Sequence, residues 1–115
     1  MGEYDLEDRL LKFALDVRQF VKKLPRSIAM IEDGKQLIRA SGSVGANYIE
    51  ANESLSKKDF VLRLKIARKE AKEARYWLHL LDHHEDVTCL REKQRLIQEA
   101  GEVLSILSAI INKVS

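Results

Sequence analysis

The stretch SGSVGANYIEA, Ser41 to Ala51, holds two of the five glycines in a 115-residue chain and can be read in two opposite ways. As a loop it is a phosphate cradle; as a helix it is a face stripped of side chains so that another helix can approach. A phosphate loop presents backbone amides at the start of a helix and follows a buried β-strand. No strand pattern precedes Ser41, and neither the dinucleotide spacing nor a closing Gly-Lys-Ser or Gly-Lys-Thr is present. The helical reading prevails, at a propensity cost of up to roughly 1 kcal/mol for each glycine. Ser41, Gly42, Gly45 and Ala46 then form a bare surface for close packing. Asn47, Tyr48 and Glu50 follow at its end, where polar groups fix contacts between helices or subunits.

The flanks carry helical periodicity. Leu6, Leu10, Phe13, Val17, Phe20 and Leu24 alternate spacings of four and three, one stripe along a helix face. This predicts a helix over about 4–24, ended by Pro25, which disfavours helical backbone in the residue before it. Ser27 is placed to cap a second helix over 27–52, with apolar positions at Ile28, Ile31, Leu37, Ile38, Val44, Tyr48 and Ile49. Ser56 is placed to cap a third over 57–84, carrying Leu64, Ala67, Ala71, Ala74, Leu78 and Leu81. The fourth, over 88–114, carries Ile97, Ala100, Leu104, Leu107, Ile111 and Val114. Nothing reads as a strand. Four amphipathic helices with short connectors predict an all-α, antiparallel up-down-up-down four-helix bundle forming a single domain over 1–115.

The totals agree. A chain of this length supports one core and leaves no room for a separate catalytic lobe. With 45% hydrophobic, 33% charged and 6% aromatic residues and a single proline, the composition is that of a helix-rich domain. It excludes disorder and a β-sandwich. A net charge of +2 from 20 basic and 18 acidic residues advertises no polyanion partner, so any such partner must be sought in local clustering. The lone Cys89 cannot form an internal disulfide, and no leader or long apolar run is present. The expectation is a cytoplasmic, reduced protein with no membrane partner.

The run "LIRASGSVGANYIE", Leu37 to Glu50, is followed by Ser56-Lys57-Lys58-Asp59-Phe60 and by "EARYWLHLL", Glu73 to Leu81. Together these resemble the four-helix-bundle family first noticed as reading frames inside intervening sequences of bacterial large-subunit ribosomal RNA genes. The likeness covers essentially the whole chain, the Leu24-Pro25 turn included. Its most telling element is a serine-rich helix followed by Asn47, Tyr48, Ile49 and Glu50. Ala51 departs from the pattern, because the family usually has a glycine after that glutamate, and this weakens the expectation of a left-handed helix end there. The resemblance implies a homopentameric ring. It also implies kinship with the accessory protein of diversity-generating retroelements, which binds nucleic acid and a reverse transcriptase. It carries over no catalytic residue, since no activity is established for the family.

Between Lys57 and Arg75 stand eight basic and three acidic residues. Lys65, Arg68, Lys72, Arg75 and His79 fall at alternating spacings of three and four and so line one helix face, roughly 21 Å long at 1.5 Å per residue. Such a row matches a nucleic-acid backbone and would bind it with strong salt dependence and little sequence preference. A solvated face of a bundle helix carries the same residue types. Glu70 and Glu73 share a face with Leu62, Ile66, Trp77 and Leu80 and need counter-ions, since an unpaired buried carboxylate is costly. Arg39, or Arg75 of a neighbouring subunit, is the expected partner. A di-iron site would need Glu-x-x-His motifs on two helices, and none occurs.

His79 and His83, four apart, could chelate a metal with His84, Asp82, Glu85 or Asp86 nearby, but a helix C-terminus attracts histidine unaided. No metal or cofactor is expected. Cys89, read as lying in the turn beside these histidines, has no readable base or oxyanion site. Trp77 is expected in the core, and Tyr76 is placed to stack on a base or on a neighbouring subunit. The sequence thus points to a non-enzymatic oligomeric scaffold binding RNA or DNA, structured RNA foremost, through Lys65, Arg68, Lys72 and Arg75. Oligomer or inter-helix contacts fall to Arg39, Ser41, Gly45, Asn47, Tyr48, Glu50, Glu70 and Glu73. The alternative from another class is a protein-interaction module docking an element-encoded enzyme such as a reverse transcriptase.

Overall fold

Each helix begins on a polar side chain that accepts from amides the helix itself leaves unpaired. In a computed structural model of the chain, which describes residues 5–81 and 86–115, these are Asp5, Ser27, Ser56 and Asp86. They open α1 (Leu6–Lys22), α2 (Ile28–Asn52), α3 (Lys57–Leu80) and α4 (Val87–Val114). Ser27 and Ser56 are the caps the sequence suggested, and their hydroxyls accept from the Met30 and Asp59 amides at 3.1 Å.

The ends differ from the periodicity in small ways. Helix α1 stops at Lys22, because the Lys23 and Leu24 amides turn back to the Phe20 and Val21 carbonyls and tighten the last turn. Helix α3 stops at Leu80, where Leu81 takes an extended conformation with ψ of 126°. Tyr4, the expected start of α1, and His83 and His84, near the expected end of α3, lie outside the described residues. Helix α2 runs through Ala51 and ends without a left-handed residue; no described residue has positive φ. Alanine at 51 is buried there, and the Glu53 and Ser54 amides return to the Glu50 and Ala51 carbonyls.

Inter-helix contacts give the topology. Arg63 pairs with Glu50 and Arg39 with Glu73, so position numbers fall along α2 as they rise along α3. Arg9 pairs with Glu102 and Arg95 with Asp16, and α1 and α4 therefore also run in opposite directions. Gly45 lies against Leu10 and Gly34 against Val21, which makes α1 and α2 antiparallel too. Around the bundle each helix touches the two beside it, α1 with α2 and α4, and α3 with the same two.

The interior divides into two apolar clusters. Phe13, Val17, Phe20, Leu37, Leu78 and Leu96 centre one; Leu10, Val44, Leu64, Val103, Leu107 and Ile111 centre the other. Burying each of these large side chains contributes about 1.5–3 kcal/mol. On α2 the apolar pattern found Leu37 and Val44 but misplaced three isoleucines. Its buried residues are Gly34, Leu37, Ala40, Ser41, Val44 and Ala51, while Ile28, Ile31 and Ile49 are exposed. Two neighbours crowd this helix, and the sites closest to them take the smallest side chains. Helix α4 is rotated slightly from its expected face, with Leu96 and Val103 buried and Ile97 and Leu104 only partly so.

Gly45 decides how closely α1 and α2 can pack. A Cβ built there would meet Leu10 Cβ at 3.5 Å and its carbonyl carbon at 3.9 Å, which is ordinary contact. Gly45→Ala should therefore fit and raise stability by about 0.5–1 kcal/mol through helix propensity, or roughly 4 °C in Tm. Gly45→Leu should lower Tm by pushing α1 away, and thermal denaturation of the two variants checks both.

The seam between α1 and α4 is electrostatic. Arg9 spans Glu99 and Glu102, and Arg95 joins Glu92 to Asp16, which Lys12 also reaches. Burial alone would raise the Asp16 carboxyl, but the Lys12 and Arg95 hydrogen bonds outweigh it and hold it below its ordinary value. The hydrogen bond from Arg95 lowers Glu92 against its own burial. Carboxyls held low stabilise the fold above their unfolded pKa and lose that contribution as pH falls through the folded value. Arg95→Gln should thus cost up to about 1 kcal/mol at pH 7, the side chains being partly exposed. That deficit should shrink below about pH 4. Chemical denaturation across pH 3–7 measures it.

Candidate nucleic-acid interface

Helix α3 is the most charged helix, and its packing sorts its charges by sign. Glu70 is buried and Glu73 half-buried, and both turn to α2, where Arg39 Nη2 donates to Glu70 Oε1 at 3.3 Å and to Glu73 Oε1 at 3.0 Å. Arg63 reaches Glu50 on the same side. On α4, Glu92, Glu99 and Glu102 are engaged by Arg95 and Arg9 on the side toward α1. The basic residues further along α3 are left with no carboxylate. Among the described residues, Lys65, Arg68, Lys69, Lys72 and Arg75 form no ion pair.

The row is two rows. Arg68 and Arg75 are half-buried and lie over α4, where Arg68 Nη1 donates to Ser108 Oγ at 3.4 Å. Arg75 passes over Gly101, where an added methyl would meet its Nη1 at 3.6 Å. Both pairs are seven positions apart on their helices, so the small residues of α4 form a seat for two guanidinium groups. Lys65, Lys69 and Lys72 stand further out and are exposed. The seat at Gly101 and Ser108 was missed in the sequence, because it forms only when α4 lies antiparallel to α3.

Tyr76 follows the lysines and is 58% exposed. Its ring stands nearly perpendicular to that of Trp77, with centroids 5.2 Å apart and an interplanar angle of 73°. Trp77, expected in the core, is only partly buried and packs against one core cluster. Leu62 and Leu80, expected to share the face of Glu70, are exposed. His79 is exposed, and no group of three or more His, Cys, Asp or Glu side chains that could hold a metal occurs among the described residues. Cys89 belongs to the first turn of α4 rather than to the connector, and it is buried. Burial, with the Asp86 carboxylate beside it, pushes its thiol up and away from the reactive thiolate.

The residues singled out around the glycines have distinct places. Ser41 is buried and its hydroxyl donates to the Ile38 carbonyl, while Asn47 donates to the Ser43 carbonyl; both stay within α2. Tyr48 packs against a core cluster, and Glu50 reaches across to Arg63 on α3. Gly42, Gly45 and Ala46 also floor an open groove of about 370 Å³ between α1 and α2, walled by Leu11, Leu15 and Ile49. Leu11 and Leu15 are each more than half exposed. The stretch from Ser41 to Ala51 is thus helix throughout; Gly45 meets Leu10, Gly42 lies under Arg18, and Ala46 is exposed.

With this geometry in hand, the sequence pattern described as 23S rRNA-intervening sequence protein matches residues 3–109. The chain belongs to that family. Among solved structures, it is similar to a protein of unknown function from the S23 ribosomal protein family of Bacteroides thetaiotaomicron VPI-5482. The two share 32% identity and superpose with a TM-score of 0.79, over 93% of this chain and 98% of the other. No curated protein matches. No described helix is long and apolar enough to cross a membrane.

Arg39 can be tested directly. Its removal leaves Glu70 buried without its charged partner, so Arg39→Ala should cost about 1–3 kcal/mol in urea denaturation. Adding Glu70→Gln should recover part of that loss, a coupling that a double-mutant cycle reads out.

Proposed function

We propose that this family member is a non-enzymatic, oligomeric scaffold that binds nucleic acid, structured RNA foremost, along the basic face of α3. One observation carries the reading: Glu70 and Glu73 of α3 and Glu92, Glu99 and Glu102 of α4 are engaged by Arg39, Arg95 and Arg9, leaving Lys65, Arg68, Lys72 and Arg75 without a carboxylate along one helix. Chance decoration of a solvated helix would intersperse the two signs. A row of cations without local counter-ions gathers condensed anions, and a polyphosphate backbone releases its own counter-ions on binding it. The half-buried arginines give fixed contacts and the lysines adaptable ones.

Association of copies multiplies that field. The five-fold ring implied by the family resemblance suits a chain whose α1–α2 groove exposes Leu11, Leu15 and Ile49 beside Gly42 and Gly45. No acid–base pair, reactive thiol or metal-ligating cluster among the described residues speaks for catalysis.

The test is fluorescence anisotropy with a labelled RNA hairpin and a matched DNA duplex from about 50 to 200 mM salt. Affinity should fall linearly on logarithmic axes. Lys65→Glu with Lys72→Glu should weaken binding at least tenfold and make the salt slope on duplex DNA shallower by about 0.9 for each phosphate no longer neutralised. Both lysines are exposed, so Tm should hold. Unchanged affinity in a folded variant would sink the reading and turn attention to a protein partner such as a reverse transcriptase.

A further inference from the structure

We infer that the polynucleotide on α3 is unpaired where it passes Tyr76, and that the Tyr76 ring stacks on one of its bases. This rests on the nucleic-acid reading above and narrows the ligand to a strand with exposed bases, such as a hairpin loop or bulge.

Tyr76 stands one helical turn beyond Lys72 and two beyond Lys69, which puts it in line with the outer lysine row. Four residues and seven residues of helix amount to about 6 and 10 Å of rise. A strand whose phosphates lie on Lys65, Lys69 and Lys72 therefore arrives at Tyr76 within one further nucleotide or two. The acid nearest along the helix does not compete for this space: Glu73, one turn before Tyr76 on the flanking face, is held by Arg39.

The ring is presented rather than packed. It is 58% exposed, while the adjacent Trp77 packs inward with its ring centroid 5.2 Å away and its plane at 73°. That ring contact and the helix limit the ring's freedom before any ligand arrives, so little ordering cost remains. Leu80, one turn further and also exposed, extends the apolar ledge on which a base could rest. A base inside a duplex is already stacked on both faces and offers no plane to a surface ring, whereas an unpaired base does. Stacking tolerates any base, in keeping with cations that read no sequence.

The decisive comparison uses Tyr76→Ala and Tyr76→Phe with three labelled probes: single-stranded RNA, single-stranded DNA of the same sequence, and the RNA duplex. Tyr76→Ala should weaken binding of both single strands about 5- to 100-fold and leave the duplex unchanged. Tyr76→Phe keeps the π-face and should bind like the parent. Equal losses on all three probes, or no loss on any, while Lys65→Glu with Lys72→Glu weakens binding at least tenfold, would overturn the stacking role and leave the basic row intact. No effect of the lysine reversal would remove the row and the stacking role together. Light scattering completes the set: a change in subunit number in Tyr76→Ala would assign the ring to a contact between copies and also overturn the inference.

Discussion

One guanidinium organises the charged side of the molecule. Arg39, on the second helix, takes both carboxylates of the third helix's inner half, and in doing so it fixes the pairing of those helices and clears the opposite face of negative charge. Glu70 could not be buried without it, since a carboxylate removed from water demands a charged partner. The acids of the fourth helix that face the first are used in the same way. The basic face of α3 is thus a by-product of how the bundle solves its internal electrostatics, and its geometry is as rigid as the helix that carries it.

Much of the fold was legible because heptad-like spacing reports helix faces well when the buried residues are large. Leu10, Phe13, Val17 and Phe20 on α1 and Leu64, Leu78 and the alanines between them on α3 fell on the core as spaced. On α2 the reading held for Leu37 and Val44 but failed where hydrophobicity and burial part company. Gly34, Ala40 and Ser41 are buried because they are small, whereas Ile28 and Ile49 are exposed although they are apolar. The spacing of large residues misses Gly34 and Ala40, and it was the run of small ones that marked Ser41 and Gly45 as packed.

The candidate interface was legible in part for a related reason. Periodicity along a single helix reveals the row Lys65 to His79, and the need to compensate buried charge points to Arg39 or to Arg75 of a neighbouring subunit, of which Arg39 makes the pairs within the chain. What one helix cannot report is how its face is divided by its neighbour. The split into seated arginines and free-standing lysines depends on Gly101 and Ser108, which belong to another helix far along the chain. The exposure of Tyr76 beside a packed Trp77 depends likewise on how the bundle is rotated.

The order of helices around the bundle sets the two open surfaces on opposite edges. The apolar groove runs between α1 and α2, and the arginine seat lies between α3 and α4, with no shared helix. A body seated in the groove would neither cover the cations nor draw on the same side chains. The molecule is two-sided, and occupancy of one side leaves the side chains of the other uncovered.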